Sequence, residues 1–248
     1  MQDRDLSEQM SGPSRFRTTA WSLVALAQDR QSAAHDQSLA TICKRYWKPI
    51  YYYMRRRGYP HQEAIDLVQE YFAVFLEKGF VESADRERGK FRTFLLTTVS
   101  RFLSKHNRRH ARERAMQPLS ISLDIDSEEI LIDELADDRT PEDEFNISWA
   151  RNLIARTLDV MREFCVEEGR TYYYETFRKY LDAATASKPP SYRELADMVG
   201  ASETDVTNYL HRGRALFQKL LRDEIRESVA AESDIDDEID ALRGYLGG

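Results

Sequence analysis

Basic side chains are concentrated between positions 86 and 114, and the chemistry they can perform is the binding of phosphate. Lysine and arginine displace counterions from nucleic acid, so the affinity that they provide falls steeply as the salt concentration rises. We therefore predict a nucleic-acid-binding surface along this run. Its candidate residues are Arg88, Lys90, Arg92, Arg101, Lys105, Arg108, Arg109 and Arg112.

A second informative segment covers residues 191–221. A serine precedes an acidic residue by three positions twice, at Ser191 and at Ser202, which is the spacing of a capping box at a helix start. Gly200 lies between the two signals and can take a left-handed turn conformation. This pattern predicts a helix-turn-helix whose second helix enters the major groove of DNA, with a plain helical hairpin as the alternative.

In that second helix, threonine and asparagine can contact base edges, while arginine mainly holds phosphate. The candidate DNA-contacting residues are Ser202, Glu203, Thr204, Thr207, Asn208, His211, Arg212 and Arg214.

The sequence offers no recognisable catalytic frame or metal site. It has no glycine-rich phosphate loop and no serine nucleophile elbow. Cys43 and Cys165 are far apart, and no histidine has a cysteine or carboxylate at zinc-ligand spacing. We therefore expect neither an enzyme nor a protein with a metal or other cofactor.

Charge is segregated along the 248 residues. The net charge is −7, yet acidic residues gather in 124–144 and 223–240, away from the basic runs. Residues 1–17 lack the apolar core of a signal peptide, and no apolar stretch reaches the roughly 20 residues of a membrane span. These features predict a cytoplasmic protein without membrane insertion.

Helical periodicity predicts the elements that must position these side chains. The predicted helices cover residues 18–28, 38–57, 60–78, 90–114, 141–164 and 172–184, followed by the helix pair within 191–221. Thr140 as N-cap and Pro141 at the first helical position mark one start clearly. The acidic stretch 115–139 has no strong period, so it is predicted to be a flexible linker between two all-α domains.

Three segments, in order, resemble the extracytoplasmic-function sigma factors, the smallest members of the sigma-70 type. Residues 66–72, Asp-Leu-Val-Gln-Glu-Tyr-Phe, are similar to the polymerase-binding helix of the family's second region. Residues 88–96, Arg-Gly-Lys-Phe-Arg-Thr-Phe-Leu-Leu, resemble the part that recognises and melts the minus-ten element. Residues 210–214 end a helix-turn-helix similar to the fourth region, which recognises the minus-thirty-five element.

The resemblance implies two helical domains, both without catalytic residues. A region 2-like bundle would cover 18–114 and a region 4-like domain 140–224, with a disordered tail in 1–17 and an acidic extension in 225–248. Core RNA polymerase and promoter DNA are the implied partners, and an anti-sigma factor or another regulator is a further candidate. The implied polymerase-binding residues are Asp66, Gln69, Glu70 and Glu77.

The chain departs from the family at a few positions. Phe94 stands where the family usually has tryptophan, and Thr207 and Tyr209 stand where it has basic residues. Gly213 replaces an alanine, although glycine costs a helix interior about 1 kcal/mol relative to alanine.

Two alternatives to a sigma factor remain at this point. A stand-alone helix-turn-helix regulator would use the N-terminal bundle for dimerisation or sensing, but it would have no need of the polymerase-docking phrase at 66–72. A helical adaptor scaffold would leave the basic runs and the paired caps unexplained.

The acidic C-terminal extension carries Ile235, Ile239, Leu242 and Leu246 at helical spacing. The pattern predicts either a short amphipathic helix that packs on its own domain or on a regulator, or a solvated, partly frayed tail.

Overall fold

The computed structural model describes residues 20–116, 139–186, 188–226, 228–229 and 231–246, with the backbone alone for residue 20 and for 110–116. The predicted tail 1–17 and nearly all of the predicted linker 115–139 lie outside these residues.

The fold is all-α over the described residues, as the periodicity predicted. The helices are α1 (Ala20–Gln28), α2 (His35–Arg56), α3 (His61–Glu77), α4 (Phe91–Met116), α5 (Pro141–Glu167), α6 (Thr171–Ala186), α7 (Tyr192–Val199), α8 (Glu203–Arg226) and α9 (Asp234–Leu246). No helix in the described ranges is both long and apolar enough to cross a membrane.

The chain divides into two compact units. Of the described residues, one unit contains those within 18–152 together with those within 227–248, and the other contains those within 153–226. The predicted domain boundaries were 114/115, 139/140 and 224/225. These bounds stay predictions; the two compact units meet within the continuous helix α5 at 152/153, and the C-terminal extension groups with the N-terminal bundle.

Aromatic side chains fill the core of the 18–152 unit. Tyr71 on α3 is fully buried, and its hydroxyl forms a 2.7 Å hydrogen bond with Thr98 on α4. Burial raises the pKa of Tyr71, so the hydroxyl remains neutral and joins the two helices. Phe91, at the start of α4, packs edge-on against Trp21 and Tyr46. These contacts fix α4 relative to α1, α2 and α3.

The charged segment between α3 and α4 forms two 3₁₀ turns, at Phe80–Ser83 and Arg86–Arg88. Gly79 precedes the first turn in a left-handed conformation. The Gln28 side chain donates hydrogen bonds to the carbonyl oxygens of Val81 and Ala84, at 3.0 and 2.8 Å. Buried polar groups of the segment are thereby paired, and its position on α1 is fixed.

The second unit packs α6, α7 and α8 with the later part of α5 around a core that includes Met161, Phe177, Leu195 and Leu210. Gly213 lies buried in α8, where a Cβ atom would come within 2.8 Å of the Tyr173 carbonyl oxygen. The glycine therefore permits the close approach of α6 and α8, which explains a residue that helix propensity alone disfavours.

Candidate polymerase and nucleic-acid interfaces

A cavity of about 390 Å³ lies between α3, the first 3₁₀ turn and α4. This volume falls within the range of about 300–1,000 Å³ that is usual for ligand pockets. Phe80, Phe94 and Phe102 line it, and all three are half-buried. Phe94 and Phe102 are thus only partly covered by the core of this unit. Aromatic faces at a partly open site can stack with planar ligands such as nucleobases.

Basic side chains surround the same cavity. Arg101, Lys105 and Arg109 are spaced by four residues along one face of α4, and Lys78, directly after α3, also lines the cavity. All four are exposed. Arg108 is also exposed, and its Nε atom donates to the Ser104 carbonyl oxygen at 3.1 Å, which aims it along α4. The side chain of Arg112 lies outside the described part of the structure. Several predicted phosphate contacts therefore flank an aromatic cavity.

Two predicted phosphate contacts have a different environment. The Arg92 side chain is only 7% exposed, and its Nη2 donates to Glu238 Oε2 at 2.9 Å. Its guanidinium also lies over the Trp149 ring, 4.2 Å from the centroid. Lys90 pairs with the same Glu238. Neither side chain is fully exposed, because α9 of the C-terminal extension packs against both, and their contact with DNA stays a prediction.

Arg88 stays at the surface. Its side chain is 85% exposed and lies 3.2 Å from Asp85 Oδ2, within the second 3₁₀ turn. Asp85 also accepts a hydrogen bond from the backbone of Glu87 at 3.0 Å, so the carboxylate organises the turn that presents Arg88.

The acidic face predicted to bind polymerase lies on α3. Asp66, Gln69, Glu70 and Glu77 are all exposed. Glu70 differs from the others because it also lines the cavity, with Oε2 3.6 Å from Nδ1 of His106 on α4. Glu70 therefore lies at the border between the acidic face and the basic cavity.

The helix pair predicted in 191–221 is formed by α7 and α8. Ser191 and Glu194 make a complete capping box at the start of α7, and hydrogen bonds from Ser191 lower the pKa of the Glu194 carboxyl. Gly200 ends α7 in the left-handed conformation, with φ of 69°. Ser202 then accepts a 3.1 Å hydrogen bond from the Asp205 backbone at the start of α8. The caps and the turn glycine are thus confirmed.

Six of the eight predicted DNA contacts at the start of α8 are exposed. The exposed residues are Ser202, Glu203, Thr204, Thr207, Asn208 and His211. Arg212 and Arg214 are half-buried. Arg212 Nε donates to Asn208 Oδ1 at 3.2 Å, and the Arg214 guanidinium lies over the Tyr180 ring at 4.5 Å. Arg214 thus has a packing role that the sequence did not indicate.

The comparison with protein families bears on the first of these units. Residues 42–113 match the family model of sigma-70 region 2. The match includes α3, the two 3₁₀ turns and the part of α4 that lines the cavity. It supports a role as a sigma-70-type sigma factor in transcription initiation, which implies binding to RNA polymerase. No curated protein and no solved structure matches the chain.

Sequence reasoning missed Glu238 and the aromatic lining of the cavity. A signal for Glu238 was available, since it lies three residues after Ile235 and four before Leu242, on the apolar face of the predicted C-terminal helix. A single carboxylate on such a face indicates a buried ion pair. No comparable signal marked Phe94 and Phe102, because both continue the apolar side of α4. Among the described residues, no group of three or more His, Cys, Asp or Glu is placed to hold a metal ion.

Proposed function

We propose that this chain is a sigma factor of the extracytoplasmic-function type. It binds core RNA polymerase through the acidic face of α3, directs the enzyme to promoters and assists the melting of promoter DNA. The observation that carries the proposal is the aromatic cavity flanked by Arg101, Lys105 and Arg109, which lies within the segment that matches sigma-70 region 2.

In this mechanism the cations of α4 hold the backbone of the non-template strand, and a base that has left the stack enters the cavity. Unstacking a base costs a few kcal/mol, which stacking on an aromatic side chain offsets by about 1–3 kcal/mol per base. Phe94 and Phe102 supply such ring faces, and Ser83 and Thr98 complete the lining near them. Capture of the base therefore favours the opened strand. The chemistry of RNA synthesis belongs to the polymerase.

The α7–α8 pair would bind the upstream promoter element, with α8 in the major groove. Thr207 and Asn208 are exposed just over one turn from the start of α8, where a recognition helix contacts base edges. The short, mainly neutral side chains there favour direct contacts to bases over many phosphate contacts.

Binding to purified core RNA polymerase tests the proposal. Asp66→Lys reverses the charge on the exposed face of α3 and leaves Glu70, with its contact to His106, in place. We expect wild type to bind and the variant to bind at least about tenfold more weakly, because like charges juxtaposed at an interface cost several kcal/mol. Glu175→Lys makes the same charge change at an exposed site on α6 and should bind as wild type does.

Equal binding by Asp66→Lys and wild type would remove the acidic face of α3 from the interface. Failure of wild type itself to bind polymerase, with salt-sensitive binding to duplex DNA intact, would favour the stand-alone regulator instead.

A further inference from the structure

The C-terminal helix α9 is seated on the basic segment that leads into α4. Val229, Ile235 and Leu242 of the extension are buried. Arg86 anchors the segment before α9, since its Nε and Nη2 atoms donate to the Val229 carbonyl oxygen at 3.2 and 3.0 Å. The extension is therefore held by both apolar and polar contacts within this unit.

The contact is also complementary in charge. The Glu238 side chain is fully buried and pairs with both Lys90 and Arg92. Burial and the charge of Arg92 lower the pKa of the Lys90 amine, while Asp234 and Asp237 of α9 act in the opposite direction. One acidic helix thus faces Lys90 and Arg92, whereas Arg86 and Arg88 of the preceding segment are exposed.

We propose that α9 is an intramolecular acidic cover, which occupies the candidate phosphate-binding side chains Lys90 and Arg92 until nucleic acid displaces it. This inference rests on the proposed function for its biological setting, but the competition itself concerns any polyanion. A carboxylate and a phosphate present the same hydrogen-bond acceptors to lysine and arginine, so the two ligands exclude one another at these side chains.

The arrangement suits displacement because two cations share one buried carboxylate. A buried ion pair of this kind contributes little net stability, since desolvation of the charges offsets their attraction. Phosphates of a bound strand would supply each cation with an acceptor of its own. Because coupling between two ligands is reciprocal, binding of nucleic acid must weaken the seating of α9 by the same factor that α9 weakens nucleic-acid binding.

Charge reversal in the full-length chain tests the cover. Glu238→Lys places a cation against Lys90 and Arg92, and it should release α9. Asp240→Lys makes the same change at an exposed residue of the same helix, which pairs with Arg243, and it controls for the added charge. The probes are a duplex DNA of arbitrary sequence and a single strand of the same length, each titrated at several salt concentrations. Circular dichroism and thermal unfolding establish that both variants fold.

Relative to Asp240→Lys, the Glu238→Lys variant should bind the probes more tightly by a factor in the usual range of allosteric coupling, about 5–150-fold. The slope of log affinity against log salt should become steeper by the amount that corresponds to about two phosphate contacts, because two cations become available. Hydrogen exchange in residues 234–246 should be fast in this variant and, in wild type, should become faster when DNA binds. A peptide of residues 231–246 added to the variant should restore the weaker binding, and the same peptide carrying Glu238→Lys should not.

Several outcomes would overturn the cover. These are equal DNA affinity of the two variants, continued protection of α9 in the wild-type complex with DNA, and no binding of DNA by any of the proteins at low salt. A parallel titration with core RNA polymerase separates this inference from the proposed function. If the wild-type chain does not bind polymerase while Glu238→Lys binds DNA more tightly than Asp240→Lys, the sigma-factor role is rejected and the cover stands.

Discussion

At the scale of single residues, Gly213 and Arg92 show how an assigned role depends on a distant neighbour. Gly213 is unfavourable for α8 taken alone, yet its missing side chain admits the Tyr173 carbonyl of α6. Arg92 belongs to a basic run that suits phosphate, yet its partner is a carboxylate 146 positions away.

The role of Gly213 leads to the prediction that Gly213→Ala destabilises the protein, which is the opposite of the usual effect in a helix. Glycine to alanine in a helix normally stabilises by about 1 kcal/mol. At Gly213 the new methyl group would lie 2.8 Å from the Tyr173 oxygen and 3.0 Å from Phe177 Cβ, so we expect destabilisation of about 1–3 kcal/mol, the usual cost of overpacking. Chemical unfolding measures the change.

Gly244→Ala provides the matched control on α9. No atom lies within 4 Å of a Cβ at that position, so we expect stabilisation of up to about 1 kcal/mol. Stabilisation by both substitutions would show that the α6–α8 contact does not require glycine.

At the scale of elements, α4 combines two functions along one helix. Its first turn is structural, since Phe91 and Arg92 are buried and bind the core and α9. Its later turns carry exposed cations beside the cavity. Burial therefore divides a continuous basic run into a covered part and an accessible part.

This division predicts the salt dependence of binding to single-stranded DNA by the complex of the chain with core polymerase. Arg101→Ala and Lys105→Ala each remove one exposed cation beside the cavity, so each should lower the slope of log affinity against log salt by about 0.7, the value for one phosphate contact on a single strand. Arg178→Ala on α6 removes an exposed arginine that pairs with Asp182, and it should leave the slope unchanged. An unchanged slope in both α4 variants would place the strand elsewhere.

At the scale of the whole molecule, the order of the chain differs from the order of its compact units. The extension that follows α8 groups with the N-terminal bundle, although α5 to α8 intervene in the sequence. The helix α9 is consequently part of the unit that contains the segment matching sigma-70 region 2, and a truncation that removes α9 acts on that unit.

Truncation after Arg226 tests this grouping. It removes the buried side chains Val229, Ile235 and Leu242, each of which contributes about 1.5–3 kcal/mol when fully buried. We expect faster hydrogen exchange of backbone amides in α2, α3 and the described part of α4, with little change in α7 and α8. Equal acceleration in both units, or none in either, would contradict the grouping.

The sequence by itself determined the features that obey short-range rules. Helix positions followed from periodicity, and the caps at Thr140, Ser191 and Ser202 followed from hydrogen bonds that reach only three residues along the chain. The exposure of Asp66 and Glu77 followed likewise from the side of α3 opposite its apolar stripe. Of the two alternatives for the tail, the amphipathic helix is the one that the structure has.

The tertiary structure alone decided which surfaces meet. Hydrophobic burial is non-directional, so an apolar stripe indicates that a helix packs but does not identify the element against which it packs. The seating of α9 on Lys90 and Arg92, the need for glycine at 213, and the opening beside Phe94 and Phe102 all depend on contacts between elements far apart in the chain. Such contacts are specified by shape and charge in three dimensions, which no local spacing in the sequence records.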